Sequence, residues 1–273
     1  MATLPRISII ITTYNQPQWL DLVLHAYSLQ RPADFELLVA DDGSDAPTRS
    51  VVERYRAAFG PRLQHVWQPD QGFQKSRIMN RAIEAARHPY LIFTDGDCLP
   101  QPGFVEAHRQ RARPNHFLSG GYFKLSPAVS RAVTNTDIDT GRVFDPAWLR
   151  AQGQPKTYKT LKLTAQGLTA TLLNRFTPAR ASWNGHNSSG WKQDIERVNG
   201  FDERMQYGGQ DRELGERLVN AGVRPVQIRY TTTVVHLEHP RPYRTPQSLS
   251  KNADIRAATR QNRSVWTDHG IAH

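Results

Sequence analysis

The sequence predicts an α/β protein with a mostly parallel central sheet and helices on both faces. Three observations carry this. Short apolar runs without alternation, RISIIIT (Arg6 to Thr12), FELLVA (Phe35 to Ala40) and YLIFT (Tyr90 to Thr94), suit strands buried on both faces. Segments of helical period separate them, the pattern of parallel strands joined by crossover helices. Three of the runs also stop at polar clusters: Thr12-Thr13-Tyr14-Asn15, Asp41-Asp42-Gly43-Ser44 and Asp95-Gly96-Asp97. Ligands of such sheets sit beyond the carboxyl ends of the strands, so all three clusters are expected along one edge.

The elements follow in order. After the first strand, Trp19, Leu22, Val23, Ala26, Tyr27 and Leu29 form a helical stripe, with Asn15 expected as its cap and Pro17 in the first turn. TRSVVERYRAAFG reads as a helix closed by Gly60, and RLQHVWQ as a third strand. KSRIMNRAIEAARH places Ile78, Ala82, Ile83 and Ala86 on one face and leads into YLIFT. HFLSGGYFKLS reads as strand material, while the rest of 114–180 has weak periodicity and is expected to be mixed, with mobile loops. A helix is expected from Asp211 to Ala221, with Leu214, Leu218 and Val219 inward and Gly222 as its stop. VQIRYTTTVVHLEHP gives one or two strands ending at His236 and His239, and the final segment suggests a helix near Ala253 to Arg263.

The 273 residues suit one large domain or two closely merged ones, and 38% hydrophobic content is that of an ordinary globular protein. Cys98 is the single cysteine, which excludes an internal disulfide and fits a reducing, cytoplasmic compartment. The N-terminus reads as a strand and not a signal peptide, and no apolar run approaches the ~20 residues of a membrane span. The net charge of +10 is uneven: Arg109 to Arg180 holds 12 Lys/Arg against 3 Asp/Glu, and Pro240 to the end holds 6 against 2. Such a face favours nucleic acid, an anionic membrane surface or an acidic substrate, and the plain alternative is a well-solvated surface.

Two carboxylates flanking a glycine, Asp95 and Asp97, form a hard-oxygen site suited to Mg²⁺ or Mn²⁺, although Asp in turns often only caps backbone N–H groups. A carboxylate of Asp41-Asp42 can accept the N3–H of uracil or a ribose hydroxyl, and Thr12 and Tyr14 can flank the same base; the plain reading is an Asx-turn around Gly43 and an ordinary strand end. Lys75 and Arg77 at a helix start suit a phosphate, or a solvated first turn. Asp211, after Gly208-Gly209, is a candidate general base, or an N-cap. His236 and His239 are candidate metal ligands, or structural histidines.

Taken together, ISIIITTYN, DDGS and DGD resemble the inverting family 2 glycosyltransferases of GT-A, Rossmann-like fold. NGFDERMQYGGQDRELGERL resembles the C-terminal motif shared with β-1,4-galactosyltransferases and chondroitin-type polymerases, and HLEHP resembles the histidine segment after it. The matches cover roughly residues 4–108 and 183–240. The resemblance implies a nucleotide-sugar-binding half (1–110), an acceptor-binding and catalytic half (111–240) and a basic tail (241–273). It implies Asp42 as uracil reader with Thr12 and Tyr14, Asp95 and Asp97 as the metal pair with Asp97 the more direct ligand, His236 and then His239 as further ligand, and Asp211 as base. The expected partners are Mn²⁺ or Mg²⁺, a UDP-sugar, and a glycan or lipid-linked acceptor, anionic by charge, in bacterial lipopolysaccharide, capsule or other surface polysaccharide synthesis, with peripheral docking on the inner face of an anionic membrane. Two positions depart from the pattern: Gln210 replaces the usual Glu before the base, and Met79-Asn80 replaces Arg-Asn in the donor loop. Lys75 or Arg77 then takes the phosphate role.

Three alternatives stand beside this reading. A nucleotidyltransferase lacks its Gly-rich phosphate loop in TTYNQPQWL. A basic nucleic-acid-binding module fits the Tyr122, Phe123, Trp148 and Tyr158 of the basic middle but shows no known motif. A catalytically inactive relative fits Gln210, although Asp95, Asp97 and Asp211 are all present.

Overall fold

The structure is a computed structural model that describes residues 4–241 and 243–272. Among the described residues ten strands form two sheets: β1 (Ile7–Thr13), β2 (Phe35–Asp41), β3 (Leu63–Trp67), β4 (Tyr90–Asp95), β5 (Cys98–Pro100), β6 (His116–Ser119), β7 (Gly121–Lys124), β8 (Ser188–Trp191), β9 (Arg224–Gln227) and β10 (Thr233–His236). The main sheet runs β3-β2-β1-β4-β8-β6-β9, and a small one runs β5-β10-β7. Strands β1 to β4 are mutually parallel, β8 is antiparallel to both its neighbours, and β6 and β9 are parallel. Thr13 pairs with Asp41, and Thr12 with Asp95. That level register is why the three polar clusters share one edge.

The run of isoleucines in β1 serves two cores. Ile7, Ile9 and Ile11 join the Pro17–Ser28, Ala46–Phe59 and Phe104–Arg111 helices in one apolar cluster. Ile10 faces the other way, toward the Lys75–Ala85 and Gln210–Asn220 helices and Trp183. Alternate side chains along a strand point to opposite faces, so a strand covered on both must be apolar throughout. Ser8 is tolerated because its hydroxyl donates to buried Glu36 (2.6 Å), whose carboxylate also accepts from the Arg87 amide and guanidinium, both at 2.6 Å.

Several local expectations are corrected. Asn15 does not cap the first helix. Gln16 takes that place, while Asn15 adopts a φ of 47° and accepts the Asp45 amide on Oδ1 (2.9 Å). Val219 is 47% exposed, since the inward stripe of its helix is narrower than the apolar spacing implied. HFLSGGYFKLS is two strands, β6 and β7, in different sheets; the chain is redirected at Gly120, whose amide donates to the Asn187 carbonyl (2.8 Å) while the Asn187 amide group holds the Gly121 carbonyl (2.8 Å). The weakly periodic middle holds five short helices: Pro127–Ala132, Asn135–Asp139, Pro146–Ala151, Leu161–Thr164 and Gly167–Phe176. Several are set by local caps, Ser126 on the Val129 amide, Thr134 with Asp137, and Asp145 on the Ala147 amide, and are too short for periodicity to reveal.

The segment set apart as a tail is built into the fold. Its Pro246–Gln261 helix packs along Gln210–Asn220, with the Asn252 amide group donating to the Gln206 and Gly208 carbonyls (2.8 Å each). Among the described residues no helix is long and apolar enough to cross a membrane. Glu213 and Arg217 form a fully buried pair (2.7 Å) whose guanidinium also holds the Val198 and Gly200 carbonyls. Glu213→Ala strands that guanidinium, so it is expected to cost about 3–5 kcal/mol of stability, read by urea unfolding.

Candidate active site

A cleft of about 900 Å³ opens at the carboxyl edge of the sheet. Thr12, Tyr14, Asp42, Lys75, Asp95, Asp97, Asp211, His236 and His239 all line it, so segments 200 residues apart in sequence meet at one place. Asp95 Oδ1 accepts from the Thr12 hydroxyl (2.7 Å) and from Lys75 Nζ (2.6 Å). Burial works to raise the Asp95 pKa, but the Lys75 charge outweighs it and holds the carboxyl below its usual value. Lys75 is partly buried (side chain 17% exposed), and the desolvation opposes its charge, yet Asp95, Asp211 and Asp97 keep it firmly protonated. One lysine therefore serves as counter-charge to three carboxylates.

Asp97 faces the histidines. Its Oδ2 lies 2.7 Å from His239 Nε2 and 3.4 Å from His236 Nε2, and its Oδ1 accepts from the Cys98 thiol at 3.1 Å. Against the upward push of burial, those imidazoles hold the Asp97 carboxyl well below the ordinary range. His239 Nδ1 meets the Pro240 carbonyl (2.8 Å). Both its ring nitrogens thus face acceptors and the Asp97 hydrogen bond raises its pKa, so the protonated ring is favoured here and must give up a proton before it can ligate a cation. His236 Nε2 accepts from Arg241 (2.9 Å), which leaves the proton on a buried, unpartnered Nδ1.

Oxygen and nitrogen donors that converge beside a surplus of carboxylate suit a divalent cation. The ligand atoms of Asp97, Cys98 and His236 lie within 4.8 Å of one another. Burial and the nearby Asp97 push the Cys98 thiol far up, so it stays protonated and acts as a donor to Asp97. Asp97 with His236 or His239 remains as the donor set, and it fits Mn²⁺ or Mg²⁺.

The adjacent aspartates divide their work. Asp41 makes the turn, with Oδ1 accepting the Ser44 amide (2.8 Å) and Oδ2 against His65 (2.8 Å). Asp42 lines the cleft, held by Gln68 Nε2 (2.6 Å) and the Gln74 amide (2.8 Å), and burial lifts its pKa to about 6. Tyr14 Oη donates to Asp70 (2.9 Å), the main cause of its raised pKa. The basic pair splits as well. Lys75 points inward, whereas Arg77 is not among the cleft-lining residues and reaches Gln71 (3.4 Å) and Glu203 (4.0 Å). Two residues apart on a helix is more than half a turn, so both cannot face one ligand.

Asp211 is the second residue of its helix, and Gly209 is the N-cap. Its Oδ1 is buried without a partner, and burial raises its pKa although Lys75 pulls the other way. The loop from Trp183 closes over it: a Cβ on Gly185 would lie 2.8 Å and 2.9 Å from the two Asp211 oxygens. Gly185→Ala is therefore expected to lower turnover roughly 100-fold by displacing the carboxylate, with the melting temperature near wild type. Gln210, where a Glu was expected, is buried and accepts the Gly208 amide (2.9 Å), so it shapes the Gly-Gly turn.

Sequence reasoning missed other cleft residues. Phe73, Tyr207 and Tyr243 pack together, with ring centroids 5.0–5.8 Å apart, yet they come from three segments that gave no signal of meeting. His186 is driven down to about 4 by burial and packs edge-on to Tyr122 at 4.6 Å. Arg241 was read only as part of a basic tail.

Residues 8–162, more than half the chain, match the family described as glycosyl transferase family 2. The chain belongs to that family. Residues 176–240 of this family 2 chain also match the family described as N-terminal domain of galactosyltransferase. The chain is similar to a validoxylamine A glucosyltransferase of Streptomyces hygroscopicus subsp. limoneus, 29% identical over 92% of this chain and 56% of the relative. It thus spans little more than half the length of that protein. Among solved structures it resembles the mannosyltransferase PcManGT of Pyrobaculum calidifontis in complex with GDP-Man and Mn²⁺, with a TM-score of 0.57 and 18% identity over 96% of this chain and 64% of that one. It also resembles TarS 1-349 of S. aureus in complex with UDP, with a TM-score of 0.59 and 13% identity over 94% of this chain and 68% of that one. These neighbours share the GT-A fold, and this chain has it.

Proposed function

We propose that the protein is an inverting glycosyltransferase that moves a sugar from a UDP-sugar to a hydroxyl of a glycan or lipid-linked acceptor in surface polysaccharide synthesis such as lipopolysaccharide or capsule. The observation that carries this reading is the meeting, in one cleft, of an unpartnered Asp211 oxygen with the Asp95/Asp97/histidine cluster and the nucleotide-reading candidate Asp42. The family, and the UDP and the GDP-Man with Mn²⁺ named for two fold neighbours, support it.

In this reading Asp42, ionised, accepts the N3–H of uracil, with Thr12 and Tyr14 beside the base. Lys75 turns its charge toward the diphosphate. Asp97, with His236 or a deprotonated His239, would hold Mn²⁺ or Mg²⁺, which would supply Lewis-acid neutralisation of charge on the departing diphosphate. Asp211 takes the acceptor proton as charge develops in the transition state. Its burial makes it a stronger base than an exposed aspartate, and attack on the face opposite the leaving group inverts the anomeric carbon.

Asp42 gives a pH dependence. Its pKa is raised to about 6, so the carboxylate that accepts N3–H is lost as pH falls through that value. UDP affinity, followed by calorimetry, is expected to weaken below about pH 6 and to be flat above 7. The activity itself is tested by incubating the protein and Mn²⁺ with a panel of nucleotide sugars. Release of UDP from at least one donor supports the reading, and release of another nucleoside diphosphate alone overturns the donor.

A further inference from the structure

The longest helix of the middle region carries an apolar face that nothing among the described residues covers. On Gly167–Phe176, Leu168, Leu172 and Phe176 fall four residues apart along one side and are 82%, 54% and 72% exposed. Tyr158 (78%) and Leu161 (48%), on the preceding turns, are exposed as well. An uncovered apolar helix face on an otherwise well-packed chain marks a surface that meets something apolar. The charge around it names the partner. From Pro146 to Gln193 the sequence has no Asp or Glu but seven Lys/Arg, and Lys156, Lys159, Arg175 and Arg180 are all exposed.

We propose that this surface docks on an anionic lipid bilayer, with Leu168, Leu172 and Phe176 in the headgroup and acyl boundary and the basic side chains on the phosphates. Apolar burial supplies the insertion and the cations supply long-range attraction, the combination that defines an interfacial amphipathic helix. The surface adjoins the cleft: Lys162, between Tyr158 and this helix, donates to the Tyr122 carbonyl (3.1 Å) and lies 5.2 Å from the Tyr122 ring, a wall of the site. Docking here brings the cleft to the lipid surface.

The test is co-sedimentation with vesicles of phosphatidylglycerol and phosphatidylcholine, beside vesicles of phosphatidylcholine alone. It needs no nucleotide sugar, so its outcome is independent of the proposed activity. The wild type is expected to bind the anionic vesicles, weaken with added salt and ignore the neutral ones. Leu168→Ser with Phe176→Ser, and separately Lys159→Glu with Arg175→Glu, are each expected to reduce binding at least about tenfold at unchanged melting temperature. No binding to anionic vesicles at low salt overturns the proposal, as does undiminished binding by the folded variants. A concentration-dependent dimer that Leu168→Ser/Phe176→Ser abolishes, without vesicle binding, assigns the face to a second copy and overturns it equally.

Discussion

Asp211→Asn is expected to lower kcat by about 10²–10⁴-fold, the usual worth of a positioned base, while UDP binding stays near wild type. The side chain keeps its size, so the Gly185 loop still packs against it, but the carboxylate proposed to take the proton is gone. Two other acidic residues, Asp202 and Glu213, are poorly placed to replace it. Asp202 is held by Arg204 (2.6 Å) and the Thr267 hydroxyl (2.9 Å), and Glu213 is locked to Arg217. Neither lines the cleft. Steady-state kinetics checks this, and turnover within a few-fold of wild type would place the base elsewhere.

Asp97→Ala is expected to abolish metal-dependent donor binding and with it turnover. A ligand present at 100 times its dissociation constant stabilises the folded state by about 2.7 kcal/mol, and that increment should vanish. Asp95→Ala should differ in kind. Asp95 already holds the Thr12 hydroxyl and Lys75, so its loss frees a lysine that then competes with a cation. His236→Ala and His239→Ala, compared by metal titration, show which imidazole completes the donor set.

Much of the sheet was legible because its physics is local. Buried parallel strands must be apolar throughout, and the clusters at Thr12, Asp42 and Asp95 mark where each one stops. The short middle helices were not legible, because side-chain caps such as Ser126 and Asp145 set them, not a repeating apolar face. The split between Lys75 and Arg77 depends on helix phase, which residue type alone does not reveal. The Phe73, Tyr207 and Tyr243 cluster depends on tertiary contact between distant loops. In the basic final segment the expected helix was legible, as Pro246–Gln261, but its anchorage was not: Asn199, at a φ of 65°, donates its side-chain amide to the Thr267 carbonyl (2.7 Å) and accepts the Ala272 amide (2.7 Å). No composition signal reports such pairing.

The most direct test of the central claim, a metal-assisted nucleotide site at this sheet edge, is the melting temperature of the wild type and Asp97→Ala with UDP, GDP, CMP and TDP, each with Mn²⁺ or with chelator. UDP is expected to raise the wild-type melting temperature only with Mn²⁺, and to leave Asp97→Ala unmoved. Stabilisation by another nucleotide in place of UDP would contradict the donor, and no stabilisation of the wild type by any of them with Mn²⁺ present would contradict the site itself.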